Sequence, residues 1–120
     1  MSDQSSPGPE PVSRALANLR EVAPLLREAH HLDPDVRQNL ADLVDDLVRV
    51  IDPAAPSSQT AHLAESSAQL VEALHRHHHA GLLASAKQRL EDAAARAATE
   101  APVATGLARR LIDVLAGLGI

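Results

Sequence analysis

From Val12 onward the apolar positions of this chain step by three and four residues, the period of one face of an α-helix. Val12, Leu16, Leu19, Ala23 and Leu26, with Ala29 or His30 next in line, make the first such face. Pro24 falls within it. Lacking an amide proton, it removes the hydrogen bond to the carbonyl of Arg20, and it is expected to kink or split the helix. A second start stands at Asp33-Pro34-Asp35: a capping side chain, a proline suited to the first helical position, and an acid at the positive end of the helix dipole. Val36, Leu40, Leu43, Val44, Leu47, Val48 and Ile51 then form a wide stripe. Arg37, Gln38, Asp42, Asp45, Asp46 and Arg49 fill the other side, with Asp45 and Arg49 in the favourable i,i+4 order. Asp52-Pro53 ends the pattern. The short connection around Leu32 predicts that the two helices fold back as an antiparallel hairpin.

Residues 53–60, PAAPSSQT, read as a linker ending in capping residues. A third helix is expected from Ala61 to His79, with Leu63, Ser67, Leu70, Val71 and Leu74 on its apolar side. Ala80-Gly81 offers a break, after which Leu82, Leu83, Ala86, Leu90, Ala93 and Ala97 resume the pattern. A glycine inside a helix costs only about 1 kcal/mol, so the stretch 61–98 reads as one helix or as two. Glu100-Ala101-Pro102 restarts the chain, and Leu107, Leu111, Val114, Leu115 and Leu118 form the last stripe. Residues 1–11 hold Ser, Pro, Gly and acid with no apolar period, and are expected to form a disordered arm. The predicted fold is all-α: four to five helices in an antiparallel bundle or hairpin array. It is one domain over 12–120, made of the hairpin 12–52, the linker 53–60 and the C-terminal helices 61–120.

Composition narrows what such helices can do. There is no Phe, Trp or Tyr, so the core must be a layer of small aliphatic side chains, and no ring is present to stack on a base or line a cofactor pocket. Ordering a residue costs roughly 1.5 kcal/mol, against roughly 1.5–3 kcal/mol for burying a large aliphatic side chain, so a lone bundle of this kind is marginal. Self-association that buries another apolar stripe is the natural remedy. The net charge is -5, and the cations are dispersed among acids, which excludes the clustered positive charge that nucleic acid requires. With no Cys there is no disulfide, thiolate metal site or Cys nucleophile, in keeping with a cytoplasmic setting. The opening MSDQSSPGPEP lacks the basic and apolar regions of a secretory signal. No apolar run approaches the roughly 18–20 residues of a membrane span, so no membrane is expected as a partner.

Two segments carry a resemblance. The first is Leu32-Asp33-Pro34-Asp35-Val36-Arg37, followed by Leu40, Leu43, Asp46 and Leu47. The second runs from Leu90-Glu91-Asp92-Ala93-Ala94 through Pro102 to the close, Leu107-Ala108-Arg109-Arg110-Leu111-Ile112-Asp113-Val114-Leu115-Ala116-Gly117-Leu118-Gly119-Ile120. Together they resemble the domain of unknown function 4404 family, small bacterial helical proteins with a Leu-Asp-Pro-acid helix start and an Ala-x-Leu-Gly-Ile-like tail. The segment Ala61 to Gly81 reads as an addition to the family pattern. The family's usual aromatic residue and His-Pro before the last helix are replaced by Ala97 and Ala101-Pro102. The resemblance implies a helical bundle of bacterial origin and brings no activity and no functional residues with it.

The candidate chemistry is imidazole. His75-Arg76-His77-His78-His79 places His75 and His79 one helical turn apart, within reach of one ion. If the first and third helices run the same way, His30 and His31 come to the same end, and His75, His78, His79 and His31 become candidate metal ligands. The plainer reading is a solvated helix end that binds Zn or Ni weakly, with no resident cofactor. Glu28-x-x-His31 and Glu72-x-x-His75 repeat the pattern that builds di-iron sites in bundles. The angles speak against it: at about 100° per residue, both glutamates point away from the apolar stripes. No glycine-framed nucleophile turn and no phosphate-cradling loop occurs. Asp42, Asp45 and Asp46 read as a solvated face flanked by Arg37 and Arg49. The expected function is a non-enzymatic interaction or scaffold protein, partnering itself as a homo-oligomer or another helical protein. The alternative is a metal-responsive or pH-responsive protein that uses the histidines.

Overall fold

The structure, a computed structural model, describes residues 10–30, 32–51, 58–76 and 80–118. Among them are five helices: α1 (Glu10–Arg27), α2 (Pro34–Val50), α3 (Ser58–Arg76), α4 (Ala80–Ala97) and α5 (Pro102–Gly117). The described residues contain no strand. Residues 1–9 of the expected arm lie outside them, and Glu10 and Pro11 already belong to α1. Of the expected linker, residues 53–57 lie outside the described set and Ser58 to Thr60 open α3.

Prolines set two helix starts. Pro34 and Pro102 occupy first-turn positions, where no amide proton is needed. Asp33 holds the N-cap position of α2 with extended backbone, but its side chain makes no capping hydrogen bond. Its carbonyl accepts from the amide of Arg37 at 3.0 Å and so begins the helical ladder. Ala97 ends α4 by accepting from the amides of Glu100, at 3.1 Å, and Ala101, at 2.8 Å. Pro24 does not split α1, which runs unbroken through it to Arg27. Proline there leaves only one carbonyl unpaired, that of Arg20, and both residues are exposed, so water can satisfy it.

The open question over 61–98 resolves as two helices. α3 is described to Arg76 and α4 from Ala80, with Gly81 inside α4; the expected end of the third helix at His79 lies outside the described residues. The two pack side by side. Helices of nearly equal length joined by three residues do so only by folding back antiparallel.

Each helix packs on two others: α1 on α2 and α3, α2 also on α5, α3 also on α4, and α4 also on α5. The five therefore close a ring in the order α1-α2-α5-α4-α3. Its radius of gyration, 13.9 Å, is near the value of about 13.6 Å for a compact chain of this length, which selects the bundle over an extended hairpin array. Inside lies one continuous aliphatic cluster. Val12, Leu16, Leu19 and Leu26 of α1, Leu40 and Leu47 of α2, and Leu63 and Leu70 of α3 are fully buried. So are Leu90 of α4 and Leu111 and Leu115 of α5. Small residues, among them Ala41, Ala64, Ala93, Ala94, Ala97 and Ala108, are buried with them.

Candidate functional site

The ring leaves two kinds of surface where chemistry or recognition can occur: the helix ends that hold the histidines, and the grooves between neighbouring helices. Of the four candidate metal ligands, His31, His78 and His79 lie outside the described residues. His75 sits in the last turn of α3, half-buried, and its Nδ1 is buried without a hydrogen-bond partner. His30 is exposed in the turn after α1. His62, thirteen residues before His75 on the same helix, lies about 20 Å away along the axis. Among the described residues no three His, Asp or Glu side chains come together in a way that could hold a metal ion.

Neither glutamate of the two Glu-x-x-His motifs enters the core. Glu28 is exposed beyond the end of α1. Glu72 edges the groove between α1 and α3 and meets Arg76 at 3.5 Å. The hydroxyls of Ser67 and Thr105 are buried with no hydrogen-bond partner, so neither is paired with a base that could activate it.

The acidic face of α2 is organised differently from the sequence expectation. Asp45 does not pair with Arg49. Arg27, at the end of α1, donates from Nη2 to Asp45 Oδ2 at 2.9 Å and to Asp42 Oδ1 at 3.1 Å. Arg49 instead lies 3.8 Å from Asp46. A cation that meets two carboxylates at once holds both helices of the hairpin, and the single i,i+4 contact does not compete with it. The hydrogen bond with Asp45 raises the pKa of Arg27 above its ordinary value; partial desolvation opposes this, and the negative field of Asp45 and then Asp42 adds to it. Gln38 Nε2 also donates to Asp42 Oδ1, at 3.1 Å.

Among the described residues, three grooves follow seams of the ring. The α1–α3 groove is polar, with Arg14, Asn18, Glu65, Gln69 and Glu72 on its rim, and holds ≈ 200 Å³. The α4–α5 groove holds ≈ 290 Å³ beside Glu91, Arg109, Ile112 and Asp113. The α2–α5 groove holds ≈ 360 Å³ and has an aliphatic centre, Leu43 and Val114, both half-buried, edged by Asn39, Asp42, Arg110 and Asp113. Leu43 and Val114 belong to the apolar stripes of the sequence, and both lie at the stripe edge. The available signal was the seven-residue spacing of Val36, Leu43 and Val50 and of Leu107 and Val114, which marks a line displaced from the buried one. No helix among the described residues is long and apolar enough to cross a membrane.

A family model described as "Domain of unknown function (DUF4404)" matches residues 52–120, which contain α3, α4 and α5. The segment Ala61 to Gly81 lies inside the match and is thus part of the family pattern, not an addition to it. Leu32 to Leu47 lies outside the match. No curated protein and no solved structure matches the chain.

Proposed function

The chain belongs to the domain of unknown function 4404 family, and we propose that it is a non-enzymatic helical interaction protein that associates with itself. The observation that carries this reading is the placement of large aliphatic side chains outside the ring. Leu25, Val50, Leu82 and Val103 are 42–63% exposed, in a chain whose core has nothing larger than Leu to bury. Apolar surface of this kind gains free energy when another protein covers it. The distribution of polar groups supports the same reading. Among the described residues they are spread along three grooves, each open to solvent. Static light scattering tests it: the mass in solution should exceed the monomer's 12.7 kDa. A strict monomer at high concentration overturns it.

His75 supports a second reading, in which the protein responds to metal or to pH. An imidazole nitrogen buried without a hydrogen-bond partner in the last turn of a helix is a ligand atom that nothing in the fold engages. The test is zinc titration of the wild type against a variant with His75, His77, His78 and His79 all changed to Ala. Equal affinity and equal stability end this reading.

A further inference from the structure

We draw no further inference here: the strongest candidate, the half-buried aliphatic centre of the α2–α5 groove at Leu43 and Val114, has one Arg and one Asp on its α5 wall and an Asp42 already held by Arg27 and Gln38, so nothing in the structure shows what covers it.

Discussion

Thr105 and Leu111 lie two turns apart on α5 and should respond to substitution in opposite directions. Leu111 is fully buried, and Leu111→Ala removes its contacts while leaving a void that the surrounding helices fill only in part. Chemical denaturation should show a loss of about 2–5 kcal/mol. Thr105 buries a hydroxyl that has no partner. Thr105→Val keeps the shape and removes the desolvated oxygen, so stability should rise by about 1 kcal/mol in the same measurement. Arg27 shows the third kind of behaviour. Its folded pKa is raised above the unfolded one, so its contribution is complete at every pH below the ordinary arginine range and is lost only as pH rises through the folded value. The melting-temperature difference between wild type and Arg27→Ala should therefore be equal at about pH 6 and about pH 9, where arginine stays charged in both states. A difference that changes between the two pH values would mean that another titrating group governs the hairpin.

At the scale of the helix, Pro24 is the clearest local conflict. It sits in the last turns of α1 at an exposed position, so its cost is a missing hydrogen bond and is not repaid by packing. Pro24→Ala should raise stability by up to about 3 kcal/mol, and less if the end of α1 frays; a thermal melt reads the change directly. Helix beginnings were legible wherever the chain spells them chemically, as at Asp33-Pro34 and Ala101-Pro102. The stripes were legible too, because Leu and Val at helical spacing bury themselves whatever the neighbour. The separation of α3 from α4 was not legible. Gly81 is tolerated within a helix, and nothing in the composition around Arg76 tells a turn from a continuation. The pairing of Asp45 was not legible for a related reason: spacing shows partners on one helix, and Arg27 approaches from another. The candidate site suffers most from this limit. Histidines are visible as composition, but the burial of Nδ1 in His75 and the exposure of Leu43 beside Val114 depend on which helices become neighbours.

Neighbour choice is a property of the closed ring, and the ring has a consequence for the whole molecule. The family match begins at residue 52, so α3, α4 and α5 lie within it and α1 and α2 outside. Yet α3 is covered on one side by α1, and α5 on one side by α2. Removing the hairpin uncovers both ends of the α3-α4-α5 row at once. Three Ala-rich helices then keep only two seams, α3–α4 and α4–α5, of the five that closed the core. The apolar area lost per residue is large for so small a domain, and no aromatic side chain or disulfide replaces it. A fragment of residues 52–120 should therefore lose the single cooperative melting transition of the full chain, bind a hydrophobic dye and show reduced helicity. A separately made fragment of residues 1–51 should restore the transition on mixing, because α1 and α2 supply surfaces that α3 and α5 already match. A sharp, dye-free melt of the 52–120 fragment alone would show that the hairpin is an appendage and that the core is complete without closure.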